Sequence, residues 1–292
     1  MKNYRSAMFA PGIDRRKVEK AVGLGVDVVI LDLEDSVDIS RKAEAREIVV
    51  SVLKGRNTAK ELWVRVNPPE TDFFLGDIMA VVAARPDGIM MPKAETAEGV
   101  ARVDWIIGLL EAHHGIEKGS IDLVPLVESA RGIRNAGEIA ASSDRLKRLS
   151  FGAVDYTLDM GIELTKNTAE LFYARSALAV ASRSAGLEGP IDTVYTDVKD
   201  SEGLAADCRL GRSLGFQGKL VIHPAQVEVV NRLFSPTAEE LARARKIVEV
   251  YEEALAAGSG VAQLDGKLIE KPVAMRARRI LEAARSLGLE VL

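Results

Sequence analysis

Val28-Val29-Ile30-Leu31-Asp32-Leu33-Glu34-Asp35 is the stretch on which the fold turns. Four apolar residues in a row lack the alternation of a strand with one wet face. Val26–Leu33 therefore predicts a strand covered on both sides. Such a strand needs a layer above and another below. Downstream, residues 44–54 carry apolar positions near a helical period, so Ser40–Lys54 predicts the helix that covers it. Acidic residues gather where the strand ends, at Asp32, Glu34 and Asp35.

The same alternation runs through the chain. Further strands are expected at Arg5–Ala10, Leu62–Val66, Gly88–Met91, Ile121–Val127, Leu146–Phe151, Ile191–Tyr195 and Lys219–Ile222. Further helices are expected at Ile13–Leu24, Ala97–His114, Gly132–Ser142, Glu170–Ala185, Glu202–Leu214 and Ala225–Phe234. Strands joined by helices in this number place the chain in the α/β class, as a (β/α)8 TIM barrel rather than an open sheet. The barrel is assigned to residues 1–234. Beyond it, Ser235-Pro236-Thr237 caps a long helix through Ala257, and Gly258-Ser259-Gly260 breaks that helix. Val261–Glu270 reads as a short hairpin, and Pro272 opens a last helix. Residues 235–292 are expected to extend the same domain, as a C-terminal helix with a lid or as a decorative tail.

A length of 292 residues suits one such barrel. Hydrophobic residues make up 47% of the chain and aromatics only 5%, so the core must be built from Val, Ile, Leu and Ala. A net charge of -4 argues against nucleic acid as a partner, which needs a clustered basic surface. No run approaches the ~18 apolar residues of a membrane span, and no signal-peptide pattern opens the sequence. The expectation is a cytoplasmic protein with no membrane partner. The single cysteine, Cys208, excludes an internal disulfide and a thiolate metal cluster, and reads as a small buried thiol.

In a parallel barrel, reactive groups belong just after each strand, on the face that carries the βα loops. Here Pro11-Gly12 follows the first strand, and Asp32, Glu34 and Asp35 the second. Arg65 and Asn67 end the third, Lys93 follows the fourth, Glu128 the fifth and Asp155 the sixth. Any one of these could be a surface charge or a helix cap. Their recurrence at one rim favours a site. Glu128 and Asp155 are two carboxylates with no histidine or thiolate near them in the pattern, a hard-oxygen site suited to Mg²⁺. Zinc is not expected: His113 and His114 close a helix, and His223 reads as structural, with a thioester or lid contact as its alternative. Arg65 offers a planar fork of donors for a substrate carboxylate or carbonyl. Its other reading is a fixed ion pair with Asp32, Glu34 or Glu128, and the two are compatible. Pro11-Gly12 with Arg15 and Arg16 could hold a pantetheine or nucleotide phosphate, or could be a turn before a solvated helix; no phosphate-loop motif is present.

At these residues the chain resembles the citrate lyase β-subunit group, the CoA-ester lyases, of the HpcH/HpaI aldolase superfamily. The matching stretches run in order from Met8-Phe9-Ala10-Pro11-Gly12 and Leu31-Asp32-Leu33-Glu34-Asp35-Ser36-Val37 through Arg65-Val66-Asn67-Pro68 and Met91-Pro92-Lys93. Val127-Glu128-Ser129-Ala130-Arg131-Gly132, Phe151-Gly152-Ala153-Val154-Asp155-Tyr156 and Asp159-Met160-Gly161 follow. Glu170-Leu171-Phe172-Tyr173-Ala174-Arg175 and Gly218-Lys219-Leu220-Val221-Ile222-His223-Pro224 carry the resemblance into the last third. It implies Mg²⁺ on Glu128 and Asp155, Arg65 on the 2-oxo acid end of the substrate, and Glu34 and Asp35 ordering metal waters and Arg65. Pro11, Gly12, Arg16, Lys93 and Glu128 are the further candidates for substrate contact. It also implies a homo-oligomer, often a trimer, whose C-terminal lid closes over a neighbour, with other citrate lyase subunits as further partners. Two positions depart from the family pattern. Val154 stands where members often have Glu, and Leu268-Ile269-Glu270-Lys271-Pro272 replaces the usual Ile-Asp-x-Pro of the lid. Glu270 keeps the carboxyl but lengthens it by one methylene.

The reaction expected is Mg²⁺-dependent cleavage of a 3-hydroxyacyl thioester, citryl-CoA or citryl carrier protein, to oxaloacetate and an acetyl thioester. Glu270 would act as proton donor. A malyl- or citramalyl-CoA lyase, and a non-catalytic barrel subunit, are the alternatives.

Overall fold

The computed structural model describes residues 2–289. Among them, parallel strands close into a barrel in chain order. The strands are β1 (Ser6–Pro11), β2 (Val28–Asp32), β3 (Glu61–Arg65), β4 (Gly88–Met91), β5 (Asp122–Val127), β6 (Ser150–Phe151), β7 (Ile191–Asp192) and β8 (Gly218–Val221). The ring shuts where Ser6, Ala7 and Met8 of β1 pair with Lys219, Leu220 and Val221 of β8. Between strands lie α1 (Arg15–Gly23), α2 (Lys42–Lys54), α3 (Phe74–Ala83), α4 (Ala97–His113), α5 (Ala130–Arg134), α6 (Ala136–Ala140), α7 (Ala153–Met160), α8 (Phe172–Ser184) and α9 (Ser201–Leu214), with α10 (Pro224–Phe234) after β8. The expected (β/α)8 barrel is the fold observed.

Every residue of β2 is buried, because one face lines the barrel and the other lies under helices. Side chains alternate along a strand, so Val28 and Ile30 of β2, Trp63 of β3 and Val124 and Leu126 of β5 pack in the interior. Two residues further on, the same inward series arrives at Asp32, Arg65 and Glu128. Those three positions are the interior face where apolar filling stops. At the other end the interior is stoppered: Tyr4 meets Trp63 edge-on at 5.3 Å, and the Arg148 guanidinium lies 4.2 Å from the Tyr4 ring. Gly88 makes room for this, since a Cβ there would stand 2.8 Å from the Trp63 indole.

Three elements differ from expectation. The sixth strand shrinks from Leu146–Phe151 to Ser150–Phe151. Its neighbour Pro190 has no N–H to give, so the ladder is interrupted between the Glu188-to-Lys147 and Ile191-to-Leu149 bonds. The seventh strand stops at Asp192 instead of Tyr195. Beyond it the chain is held by other partners: Thr193 Oγ1 accepts from Ala153 N at 2.8 Å, and Gln226 Nε2 donates to Tyr195 O at 2.7 Å. The helix expected over Gly132–Ser142 is two short helices, α5 and α6, parted at Asn135, whose side chain donates to Glu95 O at 2.8 Å.

Behind β7 and β8 sits a closed charge cluster. Arg175 of α8 donates through Nε and Nη2 to Asp192 at 2.9 and 3.0 Å, and through Nη2 to Asp207 at 2.7 Å. Lys219 of β8 donates to the same two aspartates at 2.9 and 2.6 Å. Two cations balance two anions, and all four are buried. This is where the Arg175 and Lys219 motifs of the last third land: inside the wall, not at the mouth.

Chain contacts divide the molecule into two compact units, one running from Tyr4 to Asn231 and the other made of the chain from Arg232 onward together with Lys2 and Asn3. The division falls inside α10, whose last turn, from Arg232 to Phe234, goes with the second unit. The second unit holds α11 (Ala238–Ala256), opened by a capping box between Thr237 and Glu240. A hairpin follows, β9 (Val261–Leu264) and β10 (Lys267–Glu270), turning at Asp265-Gly266 with both φ angles positive. The last helix is α12 (Lys271–Ser286), with Pro272 in its first turn. Leu241, Ile247, Tyr251, Ile269 and Leu281 give this unit a core of its own.

Candidate active site

The rim of the barrel is organised around Arg65, the last residue of β3. Asp32 faces it in register from the end of β2. Arg65 Nε donates to Asp32 Oδ1 at 2.7 Å and Nη2 to Oδ2 at 2.8 Å, a two-pronged pair that fixes the plane of the guanidinium. Nη1 donates to Asp35 Oδ2 at 3.1 Å and lies 2.9 Å from Glu34 Oε2. The Phe9 ring covers one face of the guanidinium at 4.6 Å. Burial alone would lower the Arg65 pKa, but Asp32, Glu34 and Asp35 outweigh it and hold the group above its usual range. The same exchange acts on Asp32: burial pushes its carboxyl up, and Arg65 brings it below the ordinary carboxylate range.

Glu34 is different. Its 2.9 Å approach to Arg65 is not aligned as a hydrogen bond, so Oε2 is buried without a donor among the described residues. Burial pushes this carboxyl up to about 7, with Asp35 and Asp32 adding repulsion. Glu128, one residue past β5, lies deep in the rim at 4% exposure. Oε1 accepts from the Lys93 amide at 2.8 Å, an amide that the left-handed backbone of Lys93 (φ 51°) directs at it. Its other oxygen lies over Gly152, where a Cβ would stand 2.5 Å from Oε2. Burial, then the charges of Glu34 and Asp155, push Glu128 up to about 8. Asp155 is half-buried in the first turn of α7, where the free helix amides favour an anion.

These observations bear on a cation. Among the described residues no group of three or more His, Cys, Asp or Glu side chains is gathered for a metal. What the rim offers is a pair, Glu128 and Asp155, near enough to repel, with the unsatisfied Glu34 oxygen beside them and a glycine keeping the approach to Glu128 open. Mg²⁺ typically takes one or two carboxylates and completes its shell with water and substrate oxygens, so this donor set fits it.

The other expected residues fall as follows. Pro11 pairs with Asp32, and the Gly12 amide donates to Asp32 O at 2.8 Å; a Cβ on Gly12 would stand 2.7 Å from that oxygen. Both residues therefore brace β1 against β2. Arg16 is exposed on the first turn of α1, and the Lys93 side chain is exposed. His223 accepts through Nδ1 from the Ala225 amide at 3.2 Å, a structural turn at the start of α10. Glu270 is exposed at the start of α12, in the second unit.

A family model for HpcH/HpaI aldolase/citrate lyase proteins matches residues 5–224. The chain belongs to the HpcH/HpaI family. A citrate lyase subunit beta of Leuconostoc mesenteroides subsp. cremoris is 38% identical over 283 residues, 97% of this chain and 93% of that protein. A (3S)-malyl-CoA thioesterase of Cereibacter sphaeroides is 34% identical over 286 residues, covering 98% of this chain and 96% of the relative. Among solved structures, CitE of Mycobacterium tuberculosis in complex with magnesium, acetoacetate and coenzyme A superposes with a TM-score of 0.79 at 28% identity, covering 97% of this chain and 98% of that one.

In this HpcH/HpaI chain the sequence motifs did not disclose the supports of the site. Asp77, fully buried in α3, accepts from Asn67 N at 3.1 Å and Nδ2 at 2.6 Å, and from Arg46 at 2.8 Å. That turns Asn67 into a bracket between β3 and the end of β2. The helix carrying Asp77 is apolar nearly throughout, and α7, which carries Asp155, is only eight residues long. Neither shows a clean helical period.

Proposed function

We propose that the chain is a magnesium-dependent carbon–carbon lyase that cleaves a 3-hydroxyacyl thioester of the citryl type into a 2-oxo acid and an acetyl thioester. The observation that carries this reading is the rim itself: a fixed arginine and two mutually repelling carboxylates on one face of a closed barrel. Relatives named for citrate lyase and for malyl-CoA chemistry, and a structural neighbour holding magnesium and coenzyme A, support the same class.

Glu128 and Asp155 would hold Mg²⁺, which would supply Lewis-acid stabilisation for an oxygen that becomes anionic. In the cleavage the carbinol hydroxyl loses its proton and the adjacent C–C bond breaks. Its electron pair becomes the enolate of the thioester fragment, and that carbon then takes a proton. Arg65 is held in plane by Asp32 and stacked on Phe9, so its orientation is set before substrate arrives. Its donors would stabilise charge on the 2-oxo acid end, the electrostatic contribution that tends to be largest in such sites. Glu34 and Asp35 keep the guanidinium from turning. The proton released by the hydroxyl balances the one that the enolate carbon gains. Self-association belongs to this reading: Leu158, Phe172, Tyr173 and Val180 stand exposed on α7 and α8, as surfaces that meet a second copy do.

The test is turnover of the purified chain with citryl, malyl and citramalyl thioesters, with and without Mg²⁺, identifying the 2-oxo acid released. Glu128→Gln and Asp155→Asn should each raise the Mg²⁺ concentration needed for turnover. Both should lower turnover by more than the roughly 100-fold that outer partners of a metal site typically cost. Unchanged turnover and metal dependence in both variants would remove the proposed centre. Release of glyoxylate or pyruvate in place of oxaloacetate would move the substrate to the malyl or citramalyl type.

A further inference from the structure

Lys42 sits where helix electrostatics would not put it. It opens α2, the end at which free amides disfavour a cation, and it is only 7% exposed. Burying an ammonium is costly unless its N–H groups are taken up. Two of them are: Nζ donates to Leu33 O at 2.8 Å and to Glu34 O at 2.7 Å. These carbonyls belong to the turn that leaves β2 and presents Glu34 and Asp35 to Arg65.

The Leu33 peptide is held from both sides. Its oxygen also accepts from Asn67 Nδ2 at 3.0 Å, and its N–H donates to Arg65 O at 2.9 Å. The Glu34 oxygen accepts in addition from the Val37 amide at 3.0 Å. A cation on two successive carbonyls fixes the Glu34 backbone between them, and with it the direction in which the Glu34 side chain leaves it. We propose that Lys42 is a positioning residue for the active site: it sets Glu34 and Asp35, and through them Arg65, without touching substrate. Its kinetic consequence rests on the lyase reading above; its structural consequence does not.

Lys42→Met keeps the length of the side chain and removes the three donors. Amide hydrogen exchange read by mass spectrometry should show faster exchange across residues 33–37, with protection of β8 and α9 unchanged. With the thioester substrate, kcat should fall about 10- to 100-fold, as for the loss of other outer partners of an active site, while KM for the thioester stays nearly constant. Unchanged exchange at 33–37, exchange raised equally throughout the barrel, or local loosening with wild-type kcat would each overturn the proposal. Should Lys42→Met fail to fold, Lys42→Gln, with a neutral amide in place of the ammonium, gives the same comparison. The exchange measurement needs no turnover. A wild-type chain that cleaves no thioester would therefore defeat the lyase reading while Lys42 is still decided.

Discussion

Glu128 is an expensive residue wherever no cation faces it. It is buried, repelled by two other carboxylates, and given one amide in return. Gly152 makes the arrangement possible. Its φ of -112° is open to any residue, so the demand for glycine is spatial: an added methyl would stand 2.5 Å from one Glu128 oxygen and 2.7 Å from its Cβ. Gly152→Ala should therefore displace the carboxylate and weaken Mg²⁺ affinity about 10- to 100-fold, measured by titration calorimetry, while circular dichroism stays that of the wild type. Wild-type affinity in this variant would mean that Glu128 does not bind the ion in the pose seen here. At this scale the sequence was informative about residues that end strands. Arg65, Glu34, Asp35 and Glu128 each follow an apolar run, and the run announces them. The roles of Lys42, Phe9 and Gly152 were not legible, because each acts on a partner brought to it by the closure of the barrel.

At the scale of elements, the wall formed by β7, β8, α8 and α9 has a charged interior. Lys219 lies in a strand whose residues are all buried, and its two aspartates come from β7 and α9. Gly211 of α9 lets Asp192 approach, since a Cβ there would be 2.8 Å from Oδ2. Lys219→Met would leave Asp192 and Asp207 with Arg175 as the cation of the cluster. Stripping one partner from a buried pair costs about 3–5 kcal/mol, a large part of the roughly 5–15 kcal/mol that holds a typical domain folded. The urea midpoint should fall accordingly; a midpoint within error of wild type would show that the cluster is hydrated or rearranges. Sequence pattern gave the order of these elements correctly, since apolar runs and helical periods are local. It overran β6 and β7, whose ends are decided by Pro190 and by side chains from other elements, which no window of residues contains.

For the molecule as a whole, the rim acids tie stability to pH and to the ion. The folded chain holds a proton on Glu128 up to about pH 8 and on Glu34 up to about 7, whereas the unfolded chain releases both near 4.5. Between those values the folded state binds more protons, so stability from these groups is complete below the unfolded pKa and is lost as pH rises through the folded ones. The Tm of ion-free protein should drop between about pH 5 and about pH 8.5. Mg²⁺ competes with those protons, so its stabilisation should be larger at the alkaline end. A hundredfold excess over Kd gives about 2.7 kcal/mol. Differential scanning fluorimetry with and without the ion at both pH values checks this, and an equal shift at both would disconnect the ion from the two acids.

Tyr4, Trp63 and Arg148 pack across the far end of the barrel, so the polar rim of Arg65 and Glu128 is the end at which reactants can meet it. Whatever is cleaved there arrives and departs on the same side, and its fragments share one exit.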